Sequence, residues 1–239
     1  MEDLTDTRIL IPVDATALGE PSPGIIDLFG THSLVILGIY EVPDQSATDQ
    51  VRAQFGEEIT ADIKTLAARF TDRGATVEST VVFTHDRRKS IERVAAEEDV
   101  DAVLAAGPLD TELERVLVPL RGDDNLERIV AFLGTLMRES NASVTLFNVA
   151  DTDEEASRAE FILRGARDRL VEDGIESERI EWTQERDFSP SEGILQAAEA
   201  YDLLVVGETE PSLRERLLGD VTNRIVAESP RPVLVVRNP

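Results

Sequence analysis

Two short runs constrain this chain more than any other feature. Arg8-Ile9-Leu10-Ile11-Pro12-Val13-Asp14 and Arg115-Val116-Leu117-Val118-Pro119-Leu120-Arg121 align without a gap, 107 residues apart. Each is an apolar run of the kind that forms a strand buried on both faces of a parallel sheet. The match is short, but the segments after each run also agree in order, the mark of an internal repeat. After the first run come a Gly/Pro-rich helical region over Leu18–Phe29, a strand over Leu34–Val42 and a helix from about Asp49 to Arg73. In that helix Phe55, Ile59, Ile63, Leu66 and Phe70 carry the spacing of a packed face. A strand over Thr76–Thr84, a helix over Ser90–Glu98 and a buried strand over Val103–Ala106 ending at Gly107 complete the copy. After the second run come a helix over Asn125–Glu139, a strand over Val144–Val149, a helix over Asp153–Glu172, a strand over Arg179–Gln184, a helix over Ser191–Ala200 and a strand over Leu203–Val206.

Strands alternating with helices of these lengths imply parallel sheets with right-handed crossovers. The copies differ at their ends. Only Pro108 to Glu114 separate the first copy from the second, too few residues for a loop, a helix and a strand. The expected fold is therefore α/β with two doubly wound parallel-sheet domains. Residues 1–112 form a four-stranded copy lacking its last helix and strand, and residues 113–239 form a complete five-stranded one.

The ending that only the second copy has is YDLLVVGETEPSLRERLLGDVTNRIVAESPRPVLVVRNP. An apolar strand stops at Gly207, a polar loop runs to Gly219, and a helix comes next from Asp220 to Glu228. Ser229-Pro230-Arg231-Pro232 ends that helix before a last strand, Val233 to Val236. Strand, glycine loop, helix, strand is the shape of a phosphate-binding crossover. The motif resembles the end of the universal stress protein family, many of whose members bind ATP through G-x-x-G, a nine-residue gap and G-[ST]-V-T. Gly207, Gly219, Val221 and Thr222 match. Glu210 stands in place of the second glycine, the gap is eight residues, and Asp220 replaces the Ser/Thr. The resemblance extends over nearly the whole chain as a tandem, but the glycine motif occurs once.

In that family the nucleotide lies at the carboxyl ends of the strands, with an aspartate ending the first strand near the ribose or base. Asp14 matches that aspartate, but its copy has no glycine loop. The copy that has the loop ends its first strand at Arg121. The candidate nucleotide residues are thus Gly207, Gly219, Asp220, Val221 and Thr222 with Arg121 and Asp14, and ATP is the cofactor implied. Glu208, Glu210 and Asp220 weigh against ordinary phosphate chemistry. Two charges 4 Å apart at an effective dielectric of 20 interact by about 4 kcal/mol, against roughly 2 kcal/mol at most from a helix N-terminus. Asp220 is expected to cap its own helix, and Arg121 to pair with Glu210 or Asp220.

These features support three readings. The first is a non-catalytic regulator of stress adaptation, or of a partner such as a membrane transporter, with a degenerate nucleotide site. The second is a nucleotide binder or slow ATPase using Gly207, Gly219, Thr222 and Arg121. The third is an interaction module. Family members often pair through the last strand, so Val233–Val236 is expected either to form a homodimer edge or to cover the edge left bare by the shortened copy. No catalytic grouping and no metal site is expected: the two histidines, His32 and His85, share no ligand spacing.

Without cysteine the chain has no disulfide or thiolate chemistry. No apolar stretch approaches the roughly 20 residues that cross a bilayer, and the start, MEDLTDTRILIPVD, is acidic and unlike a secretion signal. A cytoplasmic protein is expected. Its 48 acidic residues against 24 basic ones, net charge −24, are spread over nearly every helix, which argues against nucleic-acid binding. Of the 24 basic residues only Lys64 and Lys89 are lysine, leaving 22 arginines. This composition suits a salt-rich cytoplasm, as in a halophilic archaeon: at 1 M salt the Debye length is only about 3 Å, whereas in dilute buffer the acidic surface repels itself. The expected outcome is a fold intact in multimolar KCl and lost in dilute buffer, monitored by circular dichroism. Equal stability at both salt levels would contradict it.

Overall fold

The computed structural model describes residues 7–107, 109–122, 125–186, 189–208 and 220–238, which form nine strands and seven α-helices. The first half contains β1 (Arg8–Asp14), α1 (Pro23–Phe29), β2 (Ser33–Glu41), α2 (Thr48–Thr71), β3 (Thr76–Thr84), α3 (Arg87–Glu97) and β4 (Ala102–Ala106). The second contains β5 (Arg115–Pro119), α4 (Leu126–Leu136), β6 (Ser143–Ala150), α5 (Asp153–Glu172), β7 (Ile180–Arg186), α6 (Pro190–Ala198), β8 (Leu203–Gly207), α7 (Asp220–Glu228) and β9 (Val233–Val236). The helix expected from Leu18 begins only at Pro23. Gly19 and Pro21 oppose a helix, Ser22 accepts a hydrogen bond from Ile25 N, and Pro23 sits in the first turn, where its missing N–H costs nothing.

The strands do not form the two separate sheets that the repeat predicts. They form one nine-stranded sheet in the order β3-β2-β1-β4-β9-β8-β5-β6-β7. Within each half all pairs are parallel; β4 and β9 make the antiparallel junction. The last strand therefore lies in the middle of the sheet. It pairs with β8 through Leu204↔Val233 to Gly207↔Val236, and with β4 through Ala102↔Val236 to Ala106↔Val233. Of the two roles expected for Val233–Val236, it covers the bare edge of the first half, and it presents no free edge to a second copy. The β4 ladder shifts register between Leu104 and Ala106, which makes Ala105 the extra residue of a bulge.

Alternation along the strands feeds two layers of core. On one face a single cluster runs the width of the sheet, from Ile9, Ile36 and Phe70 of the first half through Leu234 and Val236 to Phe132 and Leu163 of the second. On the other face the core is divided: Leu10, Val35, Val94 and Val103 pack with α3, and Leu117, Ile194, Ile225, Val233 and Val235 pack with α6 and α7.

Both halves use the same staple. Asp101, just before β4, accepts Arg8 N at its Oδ2 (2.9 Å), and its own N–H donates to Arg8 O (2.8 Å). Asp202, just before β8, accepts Glu114 N and Arg115 N (3.0 and 2.9 Å) and donates to Arg115 O (2.9 Å). Asp101 does more. Its Oδ1 takes Arg128 Nη2 of α4 at 3.0 Å, with both side chains largely buried, and its carbonyl accepts Arg237 N, so it ties the halves together. Asp101→Ala is expected to cost about 2–3 kcal/mol, the scale of losing hydrogen bonds to a charged group. Glu97→Ala, breaking the exposed Arg93–Glu97 pair, should cost under about 0.5 kcal/mol. Denaturant unfolding at fixed molar salt checks both.

Candidate functional site

A cavity of about 270 Å³ opens at the carboxyl ends of β5, β6 and β8, the crevice where open α/β sheets hold ligands. Its walls are mostly apolar, with Ile129 from α4, Phe147 and Val149 from β6, Ile194 from α6 and Val206 from β8. Arg121, Asn125, Asn148, Gly207, Glu208, Val221 and Thr222 complete it. Four of the sequence-predicted residues, Gly207, Val221, Thr222 and Arg121, are thus brought to one cavity. Gly219 and Glu210 lie outside the described residues, as does the Asp220 side chain, although Asp220 opens α7.

The roles of these residues differ from a plain phosphate loop. Gly207 lacks a side chain for packing: a Cβ there would lie 2.6 Å from Ile129 Cδ1. The buried Thr222 hydroxyl donates to Gly207 O at 3.3 Å, closing the start of α7 onto the end of β8. Glu208, expected to repel phosphate, lines the cavity with its carboxylate engaged. It is buried, its Oε2 accepts Asn238 N at 2.9 Å, and its N–H extends the ladder to Val236 O. Its carbonyl accepts Asn125 Nδ2 at 2.6 Å. Arg121 is exposed at the cavity rim and has no carboxylate partner among the described residues. Its expected pairs, Glu210 and Asp220, carry no described side chain.

Asn148 is a residue that sequence reasoning missed. It is buried within β6, and its Nδ2 donates to Leu120 O at 2.6 Å, which fixes the amide's orientation. Its Oδ1 is buried with no partner. The signal was present: an asparagine interrupts the apolar run Leu146-Phe147-Asn148-Val149, and buried amides are rare unless they bond something.

Asp14 is not brought to this cavity, because the antiparallel junction separates the two crevices. Its carboxylate accepts both the N–H and the hydroxyl of Thr16 (2.8 and 2.7 Å), and these bonds hold its carboxyl below the usual range. Beside it the linker packs onto the start of α1. Ser22 donates its hydroxyl to Thr111 O and its N–H to Leu109 O, and Leu113 packs where a Cβ on Gly24 would sit. Gly107, at the position corresponding to Gly207, has φ +95° and lies against Pro232. Among the described residues no group of three or more His, Asp or Glu side chains is arranged to hold a metal ion. No helix among them is long and apolar enough to cross a membrane.

A model of the universal stress protein family matches residues 112–237, more than half of the chain. The chain belongs to the universal stress protein family. A universal stress protein from Archaeoglobus fulgidus is 16% identical, covers 98% of this chain and 99% of its own, and superposes with a TM-score of 0.64. A protein of unknown function from Pseudomonas aeruginosa PAO1 is 12% identical over 98% of this chain and 93% of its own, with a TM-score of 0.53. Both share the fold over nearly the full length. A universal stress protein in complex with cAMP is 28% identical over 53% of this chain and 98% of its own, with a TM-score of 0.46. No curated protein matches the sequence.

Because Gly107 is left-handed and its missing Cβ would collide with Pro232 Cα, Gly107→Ala should destabilise the protein by at least about 2 kcal/mol. Gly207→Ala, which only displaces the flexible end of Ile129, should cost less. Thermal unfolding of the two variants checks the order.

Proposed function

We propose that the chain is a non-catalytic regulator that holds one adenine nucleotide, ATP being the first candidate, in the second-half cavity. The asymmetry of the two crevices carries this reading. The second is open, with Gly207 and the first turn of α7 at its wall and an arginine at its rim free of described acids. In the first, the linker packs onto the start of α1 and Pro232 lies against Gly107. Apolar walls suit a flat ring, and Arg121 offers a two-pronged donor to an anion. Glu208 is the one carboxylate in the described lining, and it is engaged with Asn238 N, which supports action through occupancy instead of turnover.

The same reading takes the chain as a tandem, a shortened copy over residues 1–112 and a complete one over 113–239, supported by the repeated aspartate staples of Asp101 and Asp202. It places the protein in a salt-rich cytoplasm, on the strength of the net charge of −24, where nucleotide occupancy would govern a protein partner such as a transporter. A homodimer would have to form through the outer edges β3 and β7 or a helical face, since β9 is paired on both sides.

Calorimetric titration of ATP with Mg²⁺ in molar KCl tests the proposal. One ATP per chain should bind with submillimolar affinity and without phosphate release, and Arg121→Ala should weaken binding about tenfold, the loss of a charge-assisted hydrogen bond. No heat from the wild type, or an unchanged affinity in the variant, would overturn it.

A further inference from the structure

We infer that the seam between the two halves is a second ligand site, adjoining the nucleotide cavity at Glu208, that takes a free amphiphilic carboxylate. On this face of the sheet the core is divided, with the cluster around α3 ending at Val103 and the cluster around α7 beginning at Val235. Val103 and Val235 are direct partners across the β4–β9 junction. A groove of about 400 Å³ remains, walled by Ile91 and Ala95 of α3 and Val226 and Ala227 of α7. That size falls among small-molecule sites, which span about 300–1,000 Å³.

The topology explains why the groove exists. In the second half α6 packs against α7, the helix that leads to the fifth strand. The first half has no helix after β4, so α3 lacks the neighbour that α6 has. The helix α7 leads into β9 and reaches onto β4. The groove between α3 and α7 is floored by Val103, Ala105 and Val235.

Charge selects the ligand. Arg87 and Arg88 lie at one end of the groove and Arg237 near the other, in a chain whose net charge is −24. Two acids also line it, but both are engaged: Glu92 pairs with Arg88 at 2.8 Å and Glu208 accepts Asn238 N. Arg237 spends Nη1 on Ala95 O (2.7 Å) and Val100 O (3.1 Å), which fixes its guanidinium and leaves its remaining donors without a carboxylate. Arg87 makes no ion pair within 4 Å among the described residues, although the Asp14 carboxylate, held by Thr16, is close enough to act on it. From Arg87 to Ala95 the groove runs eight residues of helix, about 12 Å. An apolar chain of that length lies along the floor with its carboxylate on Arg87.

Decanoate is the probe. Calorimetry on the full chain in molar KCl should show one decanoate bound per chain at millimolar or lower concentration, with decanol binding at least about tenfold more weakly for want of the charged hydrogen bond. Arg87→Gln should weaken decanoate about tenfold. Ala227→Trp, at an exposed helix position on the groove wall, should abolish binding while circular dichroism and the melting temperature stay unchanged. Absence of decanoate binding to the wild type, equal binding of decanol, or full binding to both variants would overturn the inference. ATP binding by either variant should equal that of the wild type, which keeps this result independent of the nucleotide site.

Discussion

Everything in this molecule depends on a four-residue strand that satisfies two edges at once. Val233 to Val236 are all buried, with accessibilities between 0% and 3%. Burying an aliphatic side chain of this size contributes roughly 1.5–3 kcal/mol, so the four together contribute roughly 6–12 kcal/mol as an upper bound. That is the scale of a whole domain's stability, about 5–15 kcal/mol. Without β9 the inner edges of β4 and β8 would both present unpaired backbone groups above a buried core, each costing about 1–3 kcal/mol. The first half therefore has no complete sheet of its own. It borrows its fifth strand from the end of the chain, in reversed direction.

That reversal determines where chemistry is possible. Parallel strands put ligand crevices at their carboxyl ends, so two halves joined antiparallel have crevices on opposite edges of the sheet. Entering beside the carboxyl end of β4, the chain before β9 brings Pro232 onto Gly107. The linker folds back onto Ser22 and Gly24. In the second half β9 leaves at its carboxyl end beside β8, and Asn238 N engages the Glu208 carboxylate at the cavity wall. One strand thus shapes the carboxyl ends of both halves.

Most of the local architecture was legible in the sequence. The strand Thr76–Thr84 and the helix Asp153–Glu172 have the bounds that β-branched runs and apolar periodicity imply, and the short linker revealed that the first half stops at four strands. What could not be read was the joining of the halves. Val103 and Val235 lie 132 residues apart, and an apolar run says nothing of whether its neighbour is parallel or antiparallel. The site was legible in the same uneven way. Motif spacing brought Gly207, Val221, Thr222 and Arg121 together, but it did not reveal the packing of Gly207 on Ile129 or the bond from Thr222 to the end of β8. Side-chain direction decided the case of Glu208, and no motif encodes that.

The preference for arginine over lysine also has a structural meaning. Exposed ion pairs such as Arg88–Glu92 or Arg224–Glu228 are worth little, and less in concentrated salt. Other arginines grip carbonyls at the ends of helices. Arg237 holds Ala95 O and Val100 O at the end of α3, Arg179 holds Met137 O and Ala142 O past the end of α4, and Arg231 holds Glu199 O at the end of α6. Each sets a positive charge on carbonyls at or just past a helix C-terminus, where the helix dipole favours one. A planar fork reaches two carbonyls at once, which a lysine's compact ammonium on a flexible stem does less well. Such hydrogen bonds are short-ranged, and those of Arg237 and Arg179 are partly buried, so screening that erases surface pairs leaves them in place. The same residue type thus supplies surface pairs that salt weakens and carbonyl contacts that it does not.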